Sequence, residues 1–339
     1  MYWSSCSFEQ VCIFKGKLMF KKSLAAAAVG MVVFGAQAAE FTAADGTVFQ
    51  VNFAAQAEMK ETKQTAGAVS TITGDGQFQM KASKKVNDDL SVFGQLEVDF
   101  DPIVDNANPA GDDAIIGLSS KAFGTFQVGQ FDSYMEDNIA EALSYWNDAA
   151  ADVKVTELAV TNDGRSLQYV GKFGDFTGAI GFQSSNGLSA TGETSTGTSY
   201  VLGYQANGIK VFVGQSFIPK YKSDTFAVTN LKSATGGAIS YTFGTTTVSA
   251  LTLKQTSSTD YDTTVSGLGV HHVMGDFDFG LAMQKKTVNA SSGTTDTNEW
   301  ALQGAYTVTK GTKFYANMLG LGKTGGADDL MTIGLKTSF

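Results

Sequence analysis

Val48-Phe49-Gln50-Val51-Asn52-Phe53-Ala54-Ala55-Gln56-Ala57-Glu58-Met59-Lys60 is the stretch on which the fold turns. Phe49, Val51, Phe53, Ala55, Ala57 and Met59 share one parity, while Gln50, Asn52, Gln56, Glu58 and Lys60 share the other. Successive side chains of an extended chain point to opposite sides, so this two-residue period is a strand with one apolar and one wet face. The pattern recurs outward along the chain. Leu90, Val92, Leu96, Val98 and Phe100 alternate with Ser91, Gln95, Glu97 and Asp99. Phe277, Phe279, Leu281 and Met283 alternate with Asp278, Gly280, Ala282 and Gln284, and Met331, Ile333, Leu335, Thr337 and Phe339 close the sequence in the same way.

Connections alternate too. Tight-turn signals stand at Asn87-Asp88-Asp89, Phe123-Gly124, Gly174-Asp175, Asn207-Gly208, Gly244-Thr245, Gly275-Asp276 and Lys310-Gly311, several being the Asx-Gly or Gly-polar pairs that favour hairpins. Between them lie longer polar segments, about 61–75, 102–112, 132–163, 185–198, 218–232, 256–263, 287–297 and 322–327. Seven tight and eight long connections make fifteen, hence sixteen strands. An even count with both termini at one end is the requirement of a closed transmembrane antiparallel β-barrel, and a barrel of about that size encloses an aqueous lumen. An all-β soluble sandwich shares the period but needs a second apolar sheet to cover each apolar face. Regular turn alternation, only 3 Pro, and a strongly polar opposite face argue against it.

The N-terminal residues read differently. From Met19, basic Lys21 and Lys22 precede an apolar run from Leu24 to Ala36 and the small-residue site Ala36-Gln37-Ala38, the layout of a cleavable secretory signal. The expected division is an upstream extension over 1–18, a signal over 19–38 cut after Ala38, and a barrel domain over 39–339. Cys6 and Cys12 both precede the cut, so disulfides do not hold the mature chain. Residues 1–38 carry four Lys and one Glu, leaving 20 basic and 32 acidic groups, a net charge of −12. So acidic a chain is a poor nucleic-acid binder, because duplex binding needs Lys and Arg to displace counterions. After the signal no apolar run of about 18 residues remains, which excludes a helical membrane protein.

Chemistry-bearing motifs are few. His271 and His272 are adjacent on a strand, so they face opposite sides and do not jointly grip one metal. With no nucleophile elbow, phosphate-binding loop or thiol ligand in residues 39–339, no enzyme, cofactor or metal centre is expected.

Particular segments resemble the general porins of Gram-negative outer membranes, which are trimers of sixteen-stranded barrels. They are Ala36-Gln37-Ala38-Ala39-Glu40, Leu90-Ser91-Val92-Phe93-Gly94-Gln95-Leu96-Glu97, Ile116-Gly117-Leu118-Ser119, Gly124-Thr125-Phe126-Gln127-Val128-Gly129-Gln130-Phe131 and Gly164-Arg165-Ser166-Leu167-Gln168-Tyr169. The terminal Phe339 resembles the aromatic read by the barrel-assembly machinery, although Thr337 stands where a more apolar residue is usual. The resemblance implies an outer-membrane location, a homotrimer, contact with outer-membrane lipid and lipopolysaccharide, and a water-filled channel for small hydrophilic solutes and ions. It also implies that the long loop after the fifth strand folds into the lumen.

That segment, 132–163, holds Asp132, Glu136, Asp137, Glu141, Asp148, Asp152, Glu157 and Asp163 against one base, Lys154. A connection of this length in a compact protein is usually functional. Residues 135–147 suit a short helix with Ile139, Leu143 and Trp146 on one face. Packed on the inner wall, such a helix presents its acids to the pore and lowers the energy of passing cations. The plain alternative is a solvated loop whose acids do nothing specific. Basic candidates for the facing wall are Lys60 and Lys81, on the polar side of the first two strands, with Lys121 and Arg165, the sole arginine. A transverse field across the constriction would orient water and polar solutes, and depletion of arginine weakens it in favour of cations.

Outward aromatics near tight turns, Phe173, Phe176, Tyr241, Phe243, Phe277, Phe314 and Phe339, suit an interfacial girdle. Residues 102–112 resemble the loop that latches a neighbouring subunit. Two rival functions remain at this stage. A sugar-selective channel needs a track of inward aromatics, for which Phe93 and Phe212 are the candidates, and a plugged structural or adhesive barrel needs none.

Overall fold

Alternation of this kind leaves each strand with an apolar face that only lipid or a second sheet can cover, and the chain resolves it by curling into one closed sheet. The computed structural model describes residues 39–64, 67–101, 110–143, 165–186, 194–217, 231–257, 261–320 and 330–338. Its strands are β1 (Ala39–Thr42), β2 (Val48–Gln64), β3 (Gly67–Lys85), β4 (Leu90–Phe100), β5 (Ala110–Ser120), β6 (Gly124–Gln130), β7 (Arg165–Phe173), β8 (Phe176–Asn186) and β9 (Thr194–Ala206). They continue as β10 (Ile209–Phe217), β11 (Leu231–Phe243), β12 (Thr246–Ser257), β13 (Tyr261–Met274), β14 (Phe277–Ala290), β15 (Gly293–Thr309), β16 (Thr312–Gly320) and β17 (Leu330–Ser338).

Each strand from β2 onward pairs antiparallel with the next, and β17 returns to β2 with Leu330 opposite Thr62 and Ser338 opposite Ala54. Closure therefore uses sixteen strands, β2–β17, as the turn count requires. The short β1 pairs with the same edge of β2, Ala39 opposite Val51 and Thr42 opposite Val48. It lies in line with β17 and continues the ladder past Ser338, so that edge of β2 is not left open.

Exposure is inverted relative to a water-soluble fold. Outward Ile116, Leu202 and Leu268 are 71%, 68% and 65% exposed, whereas inward Gln168 and Asn317 are each 4% exposed. Only a lipid solvent around the exterior makes this arrangement favourable. Aromatic rings cluster outside near the tight turns: Tyr241 and Phe243 stack at 5.7 Å, Phe277 meets Tyr306 at 4.9 Å, and Phe176 meets Tyr204 at 5.1 Å. Of the aromatics expected in a girdle, Phe173, Phe176, Tyr241, Phe243, Phe277 and Phe314 are exposed there, and Phe339 lies outside the described residues. At one of these hairpins Asn207 (φ 53°) and Gly208 (φ 82°) both take positive φ, the conformation that suits the right-handed twist of paired strands.

In three of the long polar segments the described residues are largely strand rather than loop. Across 61–75, β2 runs to Gln64 and β3 begins at Gly67, while Ala290 pairs with Gly293 at the head of β14 and β15. Across 256–263, β12 runs to Ser257 and β13 begins at Tyr261. Beyond the lipid both faces of a strand meet water, so polarity stops being a signal for a loop. Cross-strand pairs hold the projecting hairpin: Thr287 donates to Asp296 at 2.7 Å, Thr294 to Asn289 at 2.9 Å, and Lys285 pairs with Asp296 at 2.8 Å.

Candidate functional site

The chain leaves β6 at Gln130 and turns into the barrel. Two hydrogen bonds fix the entry: the Tyr134 N–H donates to Gln168 Oε1 at 2.8 Å, and the Glu136 N–H to Ser133 Oγ at 3.1 Å. A helical turn follows at Glu136–Ala140, wider than an α-helix, with the Glu141 N–H reaching back to the Glu136 carbonyl at 3.1 Å. This is shorter than the helix expected over 135–147, and of its expected apolar face Ile139 and Leu143 are buried. Met135, Ile139 and Leu143 are 1%, 0% and 4% exposed, in a cluster with Val201, Phe212, Ala234, Leu253 and Val265 of the inner wall. Tyr134 sets its edge against Phe212 with centroids 6.1 Å apart. Full burial of such side chains is worth roughly 1.5–3 kcal/mol each, enough to hold the segment on β9–β13. The described part of the loop, 132–143, is thus folded into the lumen. Trp146, Asp148 and Asp152 lie outside the described residues.

The opposite side of the same turn is acidic. Asp137 and Glu141 are exposed to the lumen and Asp132 is half-buried. Enclosure by the barrel, then Asp132, Glu141 and Asp113, push the Asp137 carboxyl up to about 7, although its side chain stays open to the lumen. Burial and then Asp112 push Asp132 up as well.

These loop acids meet a second acidic group that the sequence reading missed. Glu97, Asp99 and Asp112 bring carboxylate oxygens within 4.8 Å of one another on β4 and β5, close enough to share a cation. A register shift between Leu96 and Val98 creates the crowding, because Leu96 faces Ala114 but Val98 faces Gly111. The bulge places both Asp112 and Asp113 against Glu97. Amide groups line the acids: Gln79 donates to Glu97 at 2.6 Å, Gln77 also donates to Glu97, and Gln95 donates to Asp113 at 3.1 Å. The available signal was the polar parity of Glu97 and Asp99. Asp112 falls at the end of the polar segment 102–112, and the bulge has no sequence signature of its own.

The basic candidates separate. Lys60 faces the lumen and pairs with Glu58 at 2.6 Å, while Glu58 also accepts Tyr315 Oη at 2.8 Å. Lys81 faces inward with its ammonium 5.5 Å from the Phe93 ring centre. Lys121 lies elsewhere, in the tight turn after β5, where its N–H donates to the Asp89 carbonyl at 3.2 Å. In that corner Ser120 Oγ donates to Asp89 at 2.7 Å and holds its carboxyl below the usual range. Arg165 opens β7 opposite Ser184, and its side chain lies outside the described residues, as do Phe339 and residues 102–109. His271 reaches Asp278, which Lys313 also contacts at 3.2 Å, whereas His272 meets Thr246 at 2.8 Å on the other face.

A sixteen-strand barrel that is apolar outside, polar within and narrowed by an inward loop defines an outer-membrane channel for small solutes. The sequence model for Gram-negative porins matches residues 23–324, so the chain belongs to the Gram-negative porin family. Among solved structures, it is similar to Salmonella typhi OmpF in complex with daunomycin, with a TM-score of 0.74 at 14% identity over 89% of this chain and 100% of that one. It is also similar to a loop-deleted OmpT, an outer membrane protein of Vibrio cholerae (TM-score 0.69, 16% identity, 87% and 100% covered). The in-vitro folded trimer form of that OmpT gives 0.65 at 16% identity, with 86% and 99% covered. No curated protein matches by sequence.

Proposed function

We propose that the barrel is a diffusion porin for small hydrophilic solutes and ions that prefers cations. The supporting observation is the continuous acid belt from the wall (Glu97, Asp99, Asp112, Asp113) to the loop (Asp132, Asp137, Glu141). Two like charges about 4 Å apart repel by roughly 1 kcal/mol in water and about 4 kcal/mol at the dielectric of a protein surface. A cation entering among them relieves that repulsion, and an anion adds to it. Lys60 does little to oppose the field because Glu58 neutralises it. The sugar-channel reading has less support, since Phe212 is covered by Tyr134 and Phe93 by Lys81.

The barrel assembles as a homotrimer, a reading supported by the trimer form of Vibrio cholerae OmpT. Residues 19–38 are its secretory signal, a reading that rests on the basic start at Lys21 and Lys22, the apolar run from Leu24 to Ala36 and the small-residue site Ala36-Gln37-Ala38. Outer-membrane lipid and lipopolysaccharide contact its apolar exterior, and the assembly machinery reads Phe339. Catalysis, cofactors and nucleic acid play no part in this reading.

The experiment is reversal-potential measurement in a salt gradient with Asp137→Asn/Glu141→Gln and, separately, Glu97→Gln/Asp112→Asn. Each pair lowers the potassium-to-chloride permeability ratio. A ratio unchanged in both would remove the acid belt from the permeation path.

A further inference from the structure

Glycine weakens a strand by roughly 0.5–1 kcal/mol relative to alanine, and inside one it marks a place where something approaches the backbone closely. Three glycines share the inward parity of β9, β10 and β13 in the region where the loop is docked. A Cβ added at Gly214 would lie 2.9 Å from Ile139 Cδ1, and one at Gly267 would lie 2.5 Å from Leu143 Cδ1. One at Gly203 would lie 2.4 Å from Cε1 of Phe212, the ring on which Tyr134 rests. Ile139 and Leu143 are the buried anchors of the loop, at 0% and 4% exposed.

We infer that Gly214 and Gly267 are sockets that set how deeply the acidic segment seats on the wall, and thereby the open cross-section of the pore. This rests on the channel reading and adds positioning residues to it. Asp137 sits two residues before Ile139 and Glu141 two before Leu143, so each anchor carries an acid with it. Packed protein interiors have little free volume, so filling a socket lifts its anchor and moves the adjoining carboxylate toward the middle of the lumen. Seating depth then governs conductance, while the identity of the acids governs selectivity.

Gly214 gives the sharper test because one atom can be removed from the other side: Ile139→Val deletes the Cδ1 that the new methyl meets. Purified protein, with folding checked by heat-modifiable gel mobility, is recorded in planar bilayers as wild type, Gly214→Ala, Ile139→Val and the double variant. Gly214→Ala should lose roughly a third of the single-channel conductance, a displacement transmitted through a close-packed contact. Ile139→Val sets its own baseline, and adding Gly214→Ala to it should cost much less conductance than adding Gly214→Ala to wild type. The new methyl also lies 3.1 Å from the Tyr200 carbonyl, so an equal loss in both backgrounds would assign the effect to the wall and overturn the inference. Leu143→Phe overfills the Gly267 socket from the loop side without changing the wall, and it serves if Gly214→Ala does not fold. Conductance unchanged in Leu143→Phe overturns the proposal as well. A silent wild type would overturn the channel reading together with this one, whereas a conducting wild type with unmoved variants overturns this one alone.

Discussion

Asp137 carries the most testable chemistry at the scale of single residues. Its carboxyl is pushed up to about 7 by enclosure and by Asp132, Glu141 and Asp113, so it is largely neutral at pH 5 and largely charged at pH 8. Cation preference should therefore rise as pH increases through about 7, and Asp137→Asn should flatten that rise. Reversal potentials taken at several pH values check it; a wild-type curve as flat as the variant's would contradict it. The sign for stability is opposite. A carboxyl raised above its unfolded value of 3.8 binds protons more tightly when folded, so its contribution is present at low pH and is lost as pH rises toward 7. Lys60 makes a second prediction. Lys60→Gln leaves Glu58 without its ion pair, so cation preference should increase; an unchanged preference would mean that the pair is not on the permeation path.

The docked segment is decided at the scale of elements by its apolar face. Ile139→Asp puts a charge into a fully buried site, which costs several kcal/mol unless the segment lifts away. We predict noisy, enlarged single-channel steps with the barrel still folded by gel mobility; steps like those of wild type would show that the segment does not constrict the pore. Strands and tight turns were legible in sequence because period and turn chemistry are local. Asn207-Gly208 and the alternation from Val48 to Lys60 need no knowledge of their neighbours. Segment ends were less legible: Thr287, Asn289 and Thr294 look like loop residues, yet they pair across a hairpin that stands in water on both faces. Half of the acid belt was hidden for another reason. Asp112 and Asp113 reach Glu97 through a register shift between two strands, a property of the pair rather than of either sequence. Loop acids were found because composition alone marks them, and Lys121 was grouped with the wall because its place in a tight turn depends on Asp89 and Ser120.

The whole molecule is one sheet whose first and last barrel strands are each other's partners. Apolar side chains cover its exterior, and the interior combines a docked apolar patch with a belt of carboxylates. Function follows from that division. Lipid solvates one face, water the other, and the charge of the water-facing side selects what crosses. The most direct test is the zero-current potential of the wild-type protein in a planar bilayer separating concentrated from dilute potassium chloride. Stepwise opening events are expected, with a potential whose sign reports potassium crossing more readily than chloride. A silent bilayer, or a potential of the opposite sign, would contradict it.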